Sequence, residues 1–167
     1  MAISPTTSAS TDRLSETELR AWRGLLRTHA LLSKALDAQL EAEHDLPLTS
    51  YEVLVRLADA EQHKMRMCDL ATSVTLSRSG LTRLVDRLER DGLLRRESCA
   101  SDARGAFAKL TPEGRERLQA AHATHLAGVR ALFLERFTPE EQELLATFWD
   151  RVAPGAAAAA GTDDCGC

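Results

Sequence analysis

The chain has 167 residues, 44% apolar and 28% charged, with a net charge of −4, an ordinary globular balance that favours one domain with helical extensions. No run approaches the ~20 apolar residues of a transmembrane helix, and the opening MAISPTTSASTDR has no apolar signal core, so a cytoplasmic protein is expected. Aromatics at 4% beside abundant Ala, Leu and Arg favour helix over sheet, and the four cysteines read as reduced thiols rather than a disulfide framework.

Residues 1–14 read as a disordered Ser/Thr/Ala-rich tail. Ser15-x-x-Glu18 is a capping box. It opens a helix to about Glu43 whose face is Leu19, Trp22, Leu26, His29, Leu36 and Leu40. Asp45-Leu-Pro47 ends it. Thr49-x-x-Glu52 predicts a second capping box and a helix to about Ala60, and 61–66 reads as a polar loop. A short helix is expected over 67–73, with Met67, Leu70 and Ala71 inward.

Ser77 then caps a helix to about Asp91, held down by Leu81, Leu84, Val85 and Leu88, with Gly92 placed as an αL stop. Leu93–Ser98 and Ala106–Leu110 read as a β-hairpin about an Asp102/Gly105 turn. Thr111-Pro-Glu starts a helix to about Phe137, with Leu118, His122, His125, Val129, Leu132 and Phe133 on its buried face. Thr138-Pro-Glu-Glu141 starts the last helix, carrying Leu144, Leu145, Phe148 and Val152. Residues 153–167 read as a flexible low-complexity tail.

Two helices joined by a short turn and followed by a hairpin make a winged helix-turn-helix in a mainly α chain. Residues 64–117 hold twelve Lys/Arg against eight Asp/Glu, so the remainder carries −8. A basic centre on an acidic body is the footprint of a polyanion reader. Ser77, Arg78 and Ser79 suit phosphate oxygens at a helix N-terminus. Thr82 and Arg83 lie one turn further on, where an Arg reads guanine O6 and N7. Arg104 at the hairpin tip suits the minor groove, with Asp102 orienting it or fixing the turn. Arg87, Arg95, Arg96 and Lys109 are further phosphate candidates; for Arg87 an intramolecular pairing with Asp91 competes. The long terminal helices have apolar faces with too little partner mass in one chain, which predicts an isologous homodimer.

LSRSGLTRLVDRLERDGLLRRE followed by SDARGAFAKLTPEG resembles the MarR family of bacterial transcription regulators over about residues 15–152. The family's wing pattern is matched at Asp102, Arg104, Leu110, Thr111 and Gly114. The resemblance implies a dimer through helices at 15–44 and 111–152, and a DNA-binding lobe at 49–110 that enters the major groove of double-stranded DNA. It also implies a small-molecule pocket between the lobes, whose effector, a small aromatic by expectation, relieves repression at a pseudo-palindromic operator. Trp22, His29, Tyr51, Glu52 and Arg95 are the pocket candidates, beside plain packing roles for Trp22 and His29 and a capping role for Glu52. Urate-responsive members of the family place their Trp in an extra N-terminal helix, which is not expected in this sequence.

No cofactor or metal is expected. His122 and His125 share one helical face, but no zinc-type spacing accompanies them. Cys68 at a helix start leaves a thiol-based redox sensor as one alternative function. A winged-helix protein-interaction module without DNA binding is another. Catalysis has no footing, with neither a phosphate-binding Gly loop nor a nucleophile elbow.

Overall fold

The computed structural model describes residues 13–74, 76–98 and 106–154. Asp102, Arg104 and Cys99 of the expected wing tip, Cys165, Cys167 and most of both expected tails lie outside the described residues.

The Ser15 hydroxyl accepts the Glu18 amide at 3.3 Å, and the Ser15 amide donates to the Glu18 carboxylate at 2.7 Å. That capping box opens α1 (Glu16–His44), and Asp45 closes it in the αL region at φ 49°. Of the face expected to be buried, only Leu40 is buried; Trp22, Leu26 and His29 are exposed in the single chain.

The second helix, α2 (Leu48–Asp59), corrects the expected Thr49 box. Pro47 is its N-cap residue and no side chain of its own segment caps it. Instead Asp37 of α1 accepts the Leu48 amide at 2.8 Å. Proline sets the helical entry before Thr49 is reached, and the neighbouring helix supplies the acceptor.

Residues 61–66 are not a loop. A 3-10 turn (Glu61–His63), with Gln62 and His63 at positive φ, feeds β1 (Lys64–Arg66). After α3 (Met67–Ser73) comes α4 (Arg78–Arg90), where the Ser77 hydroxyl accepts the Gly80 amide at 3.1 Å. Gly92 stops α4 at φ 74°. Its amide bonds to Glu89 O at 3.1 Å and the Leu93 amide to Leu88 O at 2.9 Å, the paired bonds of a Schellman stop.

The strands β2 (Leu94–Ser98) and β3 (Ala106–Leu110) pair antiparallel, with Arg96 opposite Ala108. The strand β1 adds to the other edge of β3, with Met65 opposite Ala108, giving the order β1-β3-β2. Then α5 (Pro112–Leu132) starts on the Thr111 cap and ends earlier than expected. Phe133 leaves the helical region and a 3-10 turn (Leu134–Arg136) leads to a second capping box at Thr138 and α6 (Pro139–Val152).

One core joins Leu40 of α1, Leu54 and Leu57 of α2, Leu70 of α3, Leu81, Val85 and Leu88 of α4, Leu94 and Ala108 of the sheet, and Leu118 and Ala121 of α5. The buried side of α5 runs Gly114, Leu118, Ala121 and Gly128; His125 is half-buried and His122 exposed. No residue of α6 is buried.

The junction of α4, β2 and α5 is tightly tied. The Thr111 hydroxyl donates to Gly92 O at 2.7 Å and the Thr111 amide to Leu93 O at 3.2 Å, while Thr111 Oγ1 accepts the Gly114 amide at 3.0 Å. A Cβ at Gly114 would overlap Leu93 O. The Leu-Thr-x-x-Gly pattern is therefore a docking point, with Thr supplying bonds in both directions and Gly the close approach.

Candidate nucleic-acid interface

The two faces of α4 are sharply different. Leu81, Leu84, Val85 and Leu88 are buried, while Arg78, Ser79, Thr82, Arg83, Asp86, Arg87 and Arg90 are exposed. Local hydrogen bonding sets what each polar group has left to offer. Ser77 Oγ is occupied by its cap and lies 3.3 Å from Ser79 Oγ. The Thr82 hydroxyl donates back to Arg78 O at 2.9 Å, leaving its oxygen lone pairs and methyl outward. Arg87 Nη2 donates to Ser50 Oγ at 3.1 Å; Ser50 is 1% exposed, so a buried hydroxyl of α2 aims this guanidinium. The helix pairing expected for Arg87 with Asp91 is not its contact. Among the described residues, Arg78 and Arg83 have no ion-pair or hydrogen-bond partner for their guanidiniums.

Arg83, Arg87 and Arg90 line one open cleft of about 310 Å³ together with Thr49, Leu76, Gly80 and Leu84. Three guanidiniums at one opening repel one another unless an anion lies between them. Carboxylates gather elsewhere. Glu41, Glu43, Asp45, Asp91, Glu113 and Glu116 line a second cleft of about 680 Å³ between the end of α1, the α4 stop and the start of α5. The charge asymmetry seen along the chain is thus also an asymmetry in space.

On the sheet, the basic residues are largely engaged. Arg95, 60% exposed, forks onto Glu97 Oε1 at 2.8 and 3.1 Å, and Lys109 Nζ approaches the same oxygen at 3.5 Å. These two cations hold the Glu97 carboxyl below its usual range, the Arg95 hydrogen bond being the largest cause. Arg96, a further phosphate candidate, is engaged within the protein. It bridges Asp86 and Glu89 of α4 at 2.6 Å each.

The pocket candidates divide. Tyr51, buried on α2, places its hydroxyl 2.8 Å from His122 Nδ1 and its ring 4.5 Å from that of His125. Burial lowers the His125 pKa, with His122 adding to the effect. Among the described residues, His125 Nδ1 and Gln39 Oε1 are buried without a hydrogen-bond partner. Glu52 is exposed, yet crowding by its neighbours raises its carboxyl pKa against the pull of Arg56 and His29. Trp22 stands 52% exposed on the outer half of α1, and Arg95 is committed to Glu97 on the sheet. Sequence reasoning missed the Tyr51–His122–His125 grouping. Its only sequence signal is the i,i+3 spacing of the two histidines. The half-buried Cys68 thiol donates to Asp69 Oδ1 at 3.4 Å.

A capped helix with a polar, arginine-bearing outer face, packed on a short partner helix and followed by a hairpin, defines a winged helix-turn-helix. Comparisons narrow the class. Residues 46–105 match the family model described as MarR family. The transcriptional regulator HosA of Escherichia coli O157:H7 is 36% identical over 103 residues, 61% of this chain and 76% of HosA. The HTH-type transcriptional repressor YetL of Bacillus subtilis is 28% identical over 116 residues, 68% of this chain and 69% of YetL. Among solved structures, Sco3205 of Streptomyces coelicolor, a MarR family transcriptional regulator crystallised in complex with DNA, is 39% identical with a TM-score of 0.80, covering 86% of this chain and 93% of that one. The chain belongs to the MarR family of transcriptional regulators.

Proposed function

We propose that this regulator binds double-stranded DNA as a homodimer and represses transcription from a pseudo-palindromic operator until a small effector releases it. One observation carries the DNA reading: Arg78 and Arg83 project from the capped end of α4 with no partner among the described residues. Unpaired guanidiniums beside a helix N-terminus favour phosphate and guanine edges. Ser77, Ser79 and Arg87 add backbone contacts, Thr82 and Arg83 read bases, and the wing brings Arg104, oriented by Asp102, to the minor groove. The DNA-bound structure of Sco3205 and the repressor designation of YetL support the same reading.

The dimer is supported by what one chain leaves uncovered. Trp22, Leu26 and Leu31 of α1 and Leu144, Phe148, Trp149 and Val152 of α6 are exposed large apolar side chains. So many large apolar side chains exposed on two helices support an interface. A twofold axis through α1, α5 and α6 places two copies of α4 in successive major grooves, ~34–36 Å apart. The proposed effector pocket centres on Tyr51, with Glu52 and His29 beside it and Trp22, exposed on α1, as a further candidate. An aromatic acid suits a site built of a phenol, imidazoles and an indole.

Fluorescence anisotropy with a duplex from the region upstream of the chain's own coding sequence tests the reading. Affinity should fall steeply with salt, log K against log [salt] having a slope of ~−0.9 per phosphate neutralised. Absence of binding at low salt, or equal binding to any duplex of that length, rejects a sequence-specific regulator.

A further inference from the structure

We propose that Arg96 is a positioning residue that clamps the wing to the recognition helix, and that it governs DNA affinity without touching DNA. The inference rests on the DNA-binding reading above. Arg96 sits in the middle of β2, opposite the fully buried Ala108 of β3. Its guanidinium spreads over α4 rather than toward solvent. Nη2 donates to Asp86 Oδ1 and Nη1 to Glu89 Oε2, both at 2.6 Å, and the Arg96 amide donates to Glu89 Oε1 at 2.8 Å. Three bonds from one residue therefore tie a strand of the wing to two carboxylates spaced i,i+3 on the helix. The side chain is 30% exposed, half the value of the adjacent Arg95.

The geometry gives Arg96 two effects on the interface. It ties β2 to α4, so that the recognition helix and the described base of the wing keep one arrangement. It also neutralises Asp86 and Glu89, whose carboxylates lie on the helix that carries Arg83, Arg87 and Arg90. Uncompensated, those two charges would repel phosphates beside the groove. A duplex cannot compete for this guanidinium without leaving both carboxylates bare. The clamp is made by the Arg96 side chain, whereas β3 pairs with both neighbours through backbone bonds and Leu94, Ala108 and Leu110 are buried, so Arg96→Met is expected to leave the wing folded. Asp86 and Glu89 are 51% and 37% exposed, so water can solvate them in its absence.

The test compares full-length wild type, Arg96→Met, the Asp86→Asn/Glu89→Gln double variant and the triple variant. Amide hydrogen exchange in β2 and β3 without DNA reads the clamp itself. Anisotropy on the upstream duplex across a salt series reads its consequence. Arg96→Met should accelerate exchange in β2 and weaken DNA binding roughly tenfold, a coupling usual for residues of one network. Its salt slope should stay that of wild type, and most of the tenfold loss should vanish when Arg96→Met is made in the double variant. Overturning results are a slope reduced by ~1, as loss of a phosphate contact gives, a full-size loss in the double-variant background, or unchanged exchange. If wild type binds no duplex, the DNA reading fails, and the exchange data alone decide whether the clamp exists.

Discussion

Gly114→Ala sets two large terms of opposite sign against each other. Helix propensity alone favours alanine over glycine by ~1 kcal/mol in a helix interior. Packing opposes it. The added Cβ would overlap Leu93 O and lie 2.9 Å from both Leu93 C and Leu110 Cδ1, where carbon pairs prefer ~3.5–4.0 Å. Backbone cannot rotate aside as a flexible side chain can, so the first turn of α5 must lift from the Gly92–Leu93 turn. That lift strains the Thr111 bonds to Gly92 O and Leu93 O, 2.7 and 3.2 Å long. Overpacking costs ~1–3 kcal/mol and each lost hydrogen bond ~0.5–1.5, so the net destabilisation after the propensity gain is ~1–5 kcal/mol. Urea unfolding followed by circular dichroism measures it. A midpoint equal to or above wild type, with an unchanged m-value, would refute the close-approach argument.

Three further outcomes are expected. Arg83→Ala should relax sequence preference, with a loss of ~1–3 kcal/mol of discrimination at one base pair per half-site, whereas Arg104→Ala should weaken binding to most duplexes; competition anisotropy with a panel of point-substituted duplexes separates the two. Phe148→Glu should raise the dimer dissociation constant more than about tenfold by placing a charge in the apolar face of α6, and sedimentation velocity at micromolar chain would report a stable dimer if the interface lies elsewhere. The lowered pKa of His125 means the unfolded chain binds the extra proton first, so stability should fall as pH drops through the unfolded value of ~6.5 and level off below the folded value. His125→Phe should flatten that slope in urea midpoints taken between pH 5 and 8, and an unaltered slope would place the titration on another group.

What was legible in the chain was local. Ser77 and Gly92 bracket α4 as read, because a cap hydroxyl and an αL stop act within one helical turn. The apolar stripe Leu81–Leu88 lies buried for the same reason. The failures are all at a distance. Thr49-x-x-Glu52 has the spelling of a capping box, but Pro47 starts the helix earlier and Asp37 reaches over from α1. Lys64-Met-Arg66 is too short to show strand alternation, and becomes a strand only because β3, far downstream, offers it an edge. Arg95 and Arg96 are adjacent and chemically identical, yet strand alternation sends one to Glu97 on the sheet and the other across to α4. Their shared sequence chemistry does not reveal these different partners. Tyr51 was a pocket candidate beside Glu52, but its contacts come from His122 and His125 on α5.

These distant contacts determine which parts of the chain move together. At its C-terminal end α4 is fastened twice. The Gly92–Leu93 turn is bonded to Thr111 at the head of α5, and Asp86 and Glu89 are bonded to Arg96 of β2. Partway along, Arg87 adds a tie to Ser50 of α2. Among the described residues, the side chains of the N-terminal turn, Ser77, Arg78 and Ser79, make no hydrogen bond outside their own segment. The side-chain ties of α4 to the rest of the protein are thus concentrated in its C-terminal half. Thr111 at the head of α5 and Ser50 of α2 are the side chains through which those two helices hold α4. Tyr51, one residue from Ser50, bonds across to His122 of α5, so the two attachments are themselves linked.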